Sequence, residues 1–247
     1  MSGTQVRIPK LGWVKLTESL RFYGKIISTT VSRAADKWFI SISVQMETTP
    51  IKKSENQALV VGVDLGVKKL ATLSNGETVE GTKPLKKLSR RLARMQRHLA
   101  HCTKGSKRYI RQKMKIARLY YRIHCIRQDG LHKLTHRLCQ SFRVICLEDL
   151  NVKGMLKTHK LAKAISDMGF YEFKRQVGYK ATLFRNFIVE VDKWFPSSKK
   201  CSNCDHKKEE LKLSERTYHC DECGFSIDRD LNAAINIERE GLRVLAS

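Results

Sequence analysis

Residues 59–66, LVVGVDLG, form a short apolar run with a single carboxylate inside it. A run of this length and composition predicts a buried β-strand. A lone carboxylate is costly to bury unless it is paired or binds a metal ion. Asp64 therefore predicts a site at this strand in which something compensates its charge.

More strands are predicted on both sides of this run. Residues 68–74, KKLATLS, and 77–80, ETVE, flank an Asn75-Gly76 turn signal and predict a three-stranded meander. Two later apolar runs, VICL at 144–147 and FIVEVDKW at 187–194, predict two additional strands.

The N-terminal region also has a β-rich pattern. Residues 22–47 contain two β-branched and aromatic stretches around residues 34–37, which predicts an antiparallel hairpin. The polar residues 48–57 have no period and predict a linker.

Helical patterns fill the intervals between the strands. An apolar residue recurs at helical spacing from Leu85 to Leu99, a break follows at Gly105-Ser106, and a second periodic run covers residues 107–140. These runs predict a long basic helical hairpin at about residues 85–142. One helix is predicted at 162–185, and another from Asp230 to about Glu240.

The charge of the chain is high and uneven. Its 48 Lys and Arg against 24 Asp and Glu give a net charge of +24. Between Leu85 and Arg143 there are 18 Lys or Arg and one acid, Asp129. Unneutralised repulsion would destabilise such a hairpin, so a nucleic-acid contact is favoured over a solvated face. Tyr109, Tyr120 and Tyr121 could stack on bases there, although aromatic residues at helical spacing more often belong to a core.

Membrane association is not expected. No apolar run approaches the roughly 18 residues needed to span a bilayer, and residues 1–20 carry no signal-peptide core. The expected location is cytoplasmic, in the cytosol or nucleoid.

Two further acids could converge with Asp64. Glu148 ends the second apolar strand and Asp230 opens the last helix, so three carboxylates from separate elements could hold divalent metal ions. Two Mg²⁺ ions in such a site would support phosphodiester hydrolysis. Asp149 and Asp228 compete for these roles: strand alternation places Asp149 opposite Glu148, and Asp228 and Asp230 are harder to separate.

The cysteines fall into two groups. Cys201, Cys204, Cys220 and Cys223 form two C-x2-C pairs 15 residues apart, the spacing of a four-thiolate structural zinc ribbon. His206 and His219 adjoin the pairs, but four thiolates leave no need for them. The remaining four are predicted to pack as small apolar residues: Cys102, Cys125, Cys139 and Cys146.

Four motifs of the chain are distinctive in combination: VGVDLG, LEDLNVKG, WFPSSKKCSNC and CDECGFSIDRDLNAAINI. Together they resemble the TnpB-like (OrfB-type) insertion-sequence family, whose members are called transposases and whose relatives are the type V CRISPR effectors. The resemblance extends from IPKLGWVKL near the N-terminus to INIEREGL near the end.

The resemblance implies an RNA-guided, Mg²⁺-dependent DNA endonuclease with a RuvC nuclease domain of RNase H-like α/β fold. DNA and a guide RNA are then the partners, with no small-molecule substrate. Asp64 matches the first RuvC acid, Glu148 the second, and the acid of the DRDLNAA segment, for which we choose Asp230, the third. The four paired cysteines match the family's zinc ribbon, although Asp205 stands where glycine is frequent.

The resemblance also implies a domain organisation. Residues 1–57 would be a partial β-barrel wedge (OB-like) domain and linker, with the chain beginning inside the wedge. Residues 58–195 would be the RuvC-like nuclease domain, 196–227 the zinc ribbon, and 228–247 the last RuvC motif and C-terminal helix.

Two other functions compete with this interpretation. A non-catalytic nucleic-acid-binding accessory or regulatory protein of a transposon would share the charge and could lack the N-terminal part. A strand-transferring transposase ranks last, because such enzymes usually order their acids Asp, Asp, Glu, whereas this chain has Asp, Glu, Asp.

Overall fold

A computed structural model of the protein describes residues 4–22, 24–45, 58–212 and 214–247. The predicted linker at 48–57 lies outside the described residues. The chain divides into two compact units, Met1–Thr49 and Pro50–Ser247.

The first unit contains two antiparallel hairpins. Strands β1 (Gln5–Ile8) and β2 (Gly12–Lys15) form one, and strands β3 (Lys25–Ala34) and β4 (Lys37–Gln45) form the other. The β3–β4 pair confirms the predicted hairpin, with Ala35 in its turn at a φ of 56°. The β1–β2 pair was not predicted from local pattern.

A mixed five-stranded sheet forms the centre of the second unit, in the order β7-β6-β5-β8-β9. Strands β5, β8 and β9 are parallel, whereas β6 and β7 run antiparallel as the predicted meander. The predicted α/β class is confirmed, and the sheet is mixed. The strands are β5 (Ala58–Leu65), β6 (Ala71–Leu73), β7 (Thr78–Val79), β8 (Phe142–Glu148) and β9 (Phe187–Val191).

Six helices and a small hairpin complete the described part of this unit. The predicted helical hairpin is confirmed as α1 and α2, and the C-terminal helix, α6, is longer than predicted. The elements are α1 (Pro84–Ala100), α2 (Lys107–Ser141), α3 (Val152–Leu156), α4 (His159–Met168), α5 (Phe170–Phe184), β10 (Thr217–His219), β11 (Ser226–Asp228) and α6 (Arg229–Ala246).

The prediction of one helix at 162–185 was wrong. Gly169 adopts a left-handed φ of 75°, which ends α4 and begins α5 in a new direction. Glycine populates this region without a steric penalty. None of the described helices is long and apolar enough to cross a membrane.

The two faces of the sheet carry different helices. On one face, Val61, Val63 and Leu147 pack in a large core with residues of α2, α4 and α5. On the other face, Val144, Cys146 and Val191 pack against Ile237 of α6. Side chains alternate along a strand, so each position in β5 and β8 is assigned to the α6 face or to the α2–α5 face.

Candidate metal centres and nucleic-acid interface

Asp64 and Glu148 end adjacent strands at the same edge of the sheet. Strands β5 and β8 are parallel and pair Val63 with Leu147, which places the next residues, Asp64 and Glu148, beside each other. Both lie on the face opposite the large core, because Val63 and Leu147 point into that core. The carboxyl edge of the sheet therefore presents two of the three predicted acids to α6.

Helix α6 approaches this face of the sheet very closely. A Cβ atom on Gly62 would collide with the carbonyl oxygen of Ala234 and lie 2.6 Å from the backbone nitrogen of Glu238. Gly62 and Asp64 share a face, and Asp230 lies one turn before Ala234. Glycine at position 62 thus allows the contact that brings the start of α6, with Asp230, over Asp64.

Electrostatic interactions connect the three carboxylates. Burial first, and then the negative charges of Asp230 and Glu148, together raise the pKa of Asp64 to about 7, while the Arg229 guanidinium opposes them. Burial also raises the pKa of Glu148. Asp64, Glu148 and Asp230 are all half-buried. The three predicted acids therefore lie close enough to interact electrostatically, in one partly buried cluster.

The competing acids have other partners. Asp149 is exposed, and its carboxylate accepts a hydrogen bond from Lys174 Nζ at 2.8 Å, which lowers its pKa. Lys174 also donates to Glu190 at 2.8 Å. Asp228 is exposed and caps α6, accepting hydrogen bonds from the backbone nitrogens of Asp230 at 3.0 Å and Leu231 at 3.1 Å. These contacts give both acids a structural role.

The four paired cysteines form a compact cluster. Their sulfur atoms all lie within 4.8 Å of one another. The Cys201–Cys223 sulfurs are 3.8 Å apart and the Cys204–Cys220 sulfurs 3.6 Å apart. A tetrahedral zinc ion with Zn–S bonds of about 2.3 Å requires sulfur separations of about 3.8 Å. The cluster fits a zinc ion and is consistent with the predicted ribbon.

The three acids do not form such a group. Within the described residues, the cysteine cluster is the only group of three or more metal-binding side chains gathered this tightly.

Among the other cysteines, the packing prediction holds for three. Cys102, Cys139 and Cys146 are buried, but Cys125 is exposed, so the prediction for Cys125 was wrong. Cys125 occupies a position on α2 that turns away from the apolar contact with α1.

Two buried asparagines, which the sequence analysis missed, join the cysteine ribbon to α6. Asn236 Nδ2 donates to the carbonyl oxygens of Ser197 at 2.8 Å and Lys200 at 2.6 Å. One turn earlier, Asn232 donates to Lys200 O at 2.7 Å and accepts from Ser202 N at 3.0 Å. Two asparagines four residues apart in the closing helix were the available sequence signal.

The basic hairpin separates its apolar and cationic residues. Leu92, Ile116, Leu119 and Ile123 form the seam between α1 and α2. Beside it lies a groove of about 680 Å³. Its cationic lining consists of Arg91, Arg94, Lys115, Arg118 and Arg122, with His98. Among the predicted aromatic residues, Tyr120 is exposed, whereas Tyr109 and Tyr121 are half-buried. This surface carries the positive charge that is expected of a surface that binds a phosphate backbone.

Two family models match the chain. Residues 41–159 match the family described as "Probable transposase" (OrfB_IS605), and residues 170–237 match the "Cas12f1-like, TNB domain". The first match includes Asp64, Glu148 and the basic hairpin, and the second includes the four paired cysteines and Asp230.

Several curated proteins are similar over most of the chain. The predicted RNA-guided DNA endonuclease InsQ of Escherichia coli (strain K12) is 36% identical over 260 residues, covering 99% of this chain and 64% of InsQ. A predicted RNA-guided DNA endonuclease of Streptomyces pristinaespiralis is 39% identical over 220 residues, covering 89% of this chain and 54% of that protein. The chain thus spans about half to two thirds of the length of these relatives.

Two solved structures share the fold. One is a Cas12f1–sgRNA–target DNA complex, with a TM-score of 0.56 at 16% identity over 81% of this chain and 42% of the other. A CRISPR-Cas12f ternary complex gives 0.54 at 17% identity over 95% and 51%. Together with the family models and relatives, this similarity shows that the chain belongs to the TnpB-like (OrfB-type) family of insertion-sequence proteins, related to Cas12f.

Proposed function

We propose that this protein is a Mg²⁺-dependent DNA endonuclease guided by RNA, with a RuvC-type nuclease domain of RNase H-like fold at residues 58–195 and 228–247. The observation that carries the proposal is the meeting of Asp64, Glu148 and Asp230 at the carboxyl edge of the sheet, where burial and mutual repulsion raise the pKa of Asp64 to about 7. Half-buried acids that repel one another need a cation to compensate them.

The donor set fits magnesium. Asp64, Glu148 and Asp230 offer only carboxylate oxygens, the ligands that Mg²⁺ prefers, and these residues would hold two ions. Ions held there would supply an activated water and would stabilise the leaving 3′ oxygen during phosphodiester hydrolysis.

The remaining contacts hold the carboxylates in place. Lys174 binds Asp149 on the opposite face of the sheet, away from α6. Asp228 stabilises the first turn of α6, which carries Asp230. The buried amides of Asn232 and Asn236 fix the cysteine ribbon to the same helix. In this proposal the zinc ribbon at residues 196–227 supports α6 and takes no part in the chemistry.

The partners follow from charge and from the relatives. The 18 cations between Leu85 and Arg143 suit a phosphate backbone, and InsQ and the Streptomyces protein are named as RNA-guided DNA endonucleases. We assign DNA as the substrate, a guide RNA as the second partner, and the hairpins of residues 1–57 to part of a wedge (OB-like) domain.

A second candidate function is nucleic-acid binding without cleavage, in an accessory or regulatory role. The observation that favours it is that, among the described residues, only the four paired cysteines, and not the three acids, are gathered into a tight group of metal-binding side chains. The charge predicts binding in both cases, so cleavage distinguishes the two functions.

The deciding experiment is cleavage of labelled single-stranded DNA by purified protein with Mg²⁺, with and without co-purified RNA. The Asp64→Ala variant should lose cleavage by at least about 100-fold, the scale on which single electrostatic groups act in active sites. Asp149→Ala is the matched control, because it removes an exposed acid from the same edge, and it should cleave normally. Tight binding by all three proteins without cleavage would establish the accessory role instead.

A further inference from the structure

A pocket of about 340 Å³ opens beside the loop that follows β5, on the opposite side of the sheet from α6. It lies between that loop, the start of α1 and the helix α4. Its lining has an apolar part, here called the floor, and a cationic part, here called the rim. The floor consists of Val67, Ala164 and Met168, the rim consists of Lys83, Lys86 and Lys163, and Ser89 and Asp167 complete the lining.

The acid that lines this pocket, Asp167, does not prevent an anion from binding, because its charge is balanced within the protein. Asp167 is only 4% exposed. Its carboxylate accepts hydrogen bonds from the backbone nitrogens of Leu85 at 3.0 Å and Lys86 at 2.9 Å, and it pairs with Arg127 at 3.3 Å. Its charge is therefore balanced within the protein, and the three lysines determine the potential of the pocket.

The lysines are available to different degrees. Lys86 and Lys163 are exposed, whereas Lys83 is half-buried and donates to the carbonyl oxygen of Lys68 at 2.5 Å. Lys83 also lies 4.0 Å from Glu80. Lys86 and Lys163 are consequently the main candidates for binding a phosphate at the rim.

The pocket and the acid cluster are close to each other along the chain. Val67 follows Asp64 by three residues, a stretch of chain that spans at most about 10 Å. A DNA strand advances about 3.4 Å per nucleotide in the double helix, so about three nucleotides would connect the two places. A strand bound at both must cross the carboxyl edge of the sheet.

We propose that this pocket binds one nucleotide of the DNA strand that reaches the acid cluster, with its base against Val67, Ala164 and Met168 and its phosphate against Lys86 and Lys163. An apolar floor with a cationic rim complements the two halves of a nucleotide, and the volume lies at the lower end for ligand pockets, which suits a single unit. This inference rests on the proposed function, because it takes DNA as the substrate.

The test uses binding in the absence of divalent metal ions, so that it is independent of cleavage. Single-stranded DNA carries the fluorescent base 2-aminopurine at one position at a time. Its fluorescence rises when the base leaves the stack, and one position should brighten on binding to the full chain. Ala164→Phe fills the floor without changing charge and should abolish that signal. Free deoxyadenosine monophosphate should not compete at equal concentration, which distinguishes a strand-bound nucleotide from a free one.

The salt dependence of binding provides a second measurement on variants that alter only exposed side chains. Each phosphate contact to a single strand contributes about 0.7 to the slope of log affinity against log salt. The double variant Lys86→Ala/Lys163→Ala should reduce that slope by about 1.4. Lys207 is an exposed lysine of the cysteine ribbon. The matched control is Lys207→Ala, which should leave the slope of log affinity against log salt unchanged.

The outcomes separate the pocket from the catalytic proposal. Two results would overturn the proposal that the pocket binds a nucleotide, even if the protein cleaves DNA. One is an unchanged slope in the double variant, and the other is a fluorescence increase that persists in a folded Ala164→Phe protein. The predicted slope and fluorescence changes support it even if no cleavage is found. Effective competition by the free nucleotide contradicts strand binding.

Discussion

The acid cluster and the cysteine cluster are both candidate metal centres, yet they are built in opposite ways. The cysteines come from two short turns of one ribbon, and their sulfurs lie within 4.8 Å of one another. The acids come from β5, β8 and α6, spread over residues 64–230, and they repel one another. A closed thiolate site stabilises a fold, whereas an open carboxylate site is what catalysis requires.

This comparison predicts opposite signs for substitution. Removing a cysteine should destabilise the ribbon, and it should reduce activity only indirectly, because the ribbon supports α6 and thereby the position of Asp230. Removing an acid should abolish chemistry while relieving repulsion in the fold. Each prediction below tests one side of that contrast.

The largest expected effect is the loss of zinc on Cys220→Ser. Structural zinc contributes about 10–16 kcal/mol to the folding of small zinc peptides, so the ribbon should lose its fold along with the ion. Metal analysis should fall from about one zinc per chain to none, and proteolysis should begin within residues 196–227. Cys125→Ser, at an exposed cysteine outside the cluster, is the control and should retain zinc. Full zinc content in Cys220→Ser would contradict the four-thiolate site.

The acid side of the comparison is tested by pH in metal-free protein. At about pH 3 and below, the Asp64 carboxyl is mostly protonated in both folded and unfolded chains. As pH rises through 3.8 to about 7, the unfolded chain ionises first, so folding stability falls, by at most about 4 kcal/mol. Asp64→Asn should remove this loss and be more stable than the parent at pH 8 but not at about pH 3, measured by denaturant unfolding.

A matched control has the opposite sign. The hydrogen bond from Lys174 lowers the pKa of Asp149, so that carboxylate adds stability above its unfolded pKa and loses it as pH falls. Asp149→Asn should therefore be slightly less stable than the parent at pH 8. Equal behaviour of the two variants would mean that burial and repulsion do not raise the pKa of Asp64 in the folded chain. Added Mg²⁺ should restore stability to the parent and not to Asp64→Asn.

A smaller effect is expected where the two regions are joined. Asn236→Ala leaves the carbonyl oxygen of Ser197 without its amide donor, at a cost of about 1–3 kcal/mol, whereas the carbonyl oxygen of Lys200 keeps the hydrogen bond from Asn232. Denaturant unfolding measures it, with Gln140→Ala, an exposed amide on α2, as a control within about 0.5 kcal/mol of the parent. If α6 and the ribbon were independent, zinc loss in the cysteine variant would not reduce cleavage, and Asn236→Ala would be neutral.

Much of the sheet was predictable because its signals are local. The apolar runs at 59–66 and 144–147 marked β5 and β8, and the leucine spacing marked α1. The break at Gly169 was not predicted, because a single glycine inside a periodic pattern is usually tolerated in a helix. The exposed position of Cys125 depends on which face of α2 meets α1, and a cysteine does not reveal that.

The two candidate metal centres also differ in whether local or non-local features of the sequence determine them. The cysteine spacing specifies a cluster from sequence alone, since each pair is closed by its own short turn. The meeting of the acids depends on strand register and on the approach of α6 at Gly62, which are non-local. Asn232 and Asn236 were missed because their partners are backbone carbonyls in a distant loop, and composition carries no information on those.

The smallest predicted effect separates Asp228 from Asp230, the one ambiguity that sequence left at the acid cluster. Asp228 accepts two backbone hydrogen bonds at the start of α6, so Asp228→Ala should cost about 1 kcal/mol of stability, as N-cap removal does, and Asp228→Asn should be nearly neutral because asparagine caps equally well. Cleavage should survive in both. Asp230→Asn should instead preserve stability and lose cleavage, since its carboxylate is the strongest charged neighbour of Asp64. Thermal unfolding and cleavage measured on the same preparations decide the assignment: loss of cleavage in Asp228→Asn with normal cleavage in Asp230→Asn would exchange the two roles and make the cap itself the third acid.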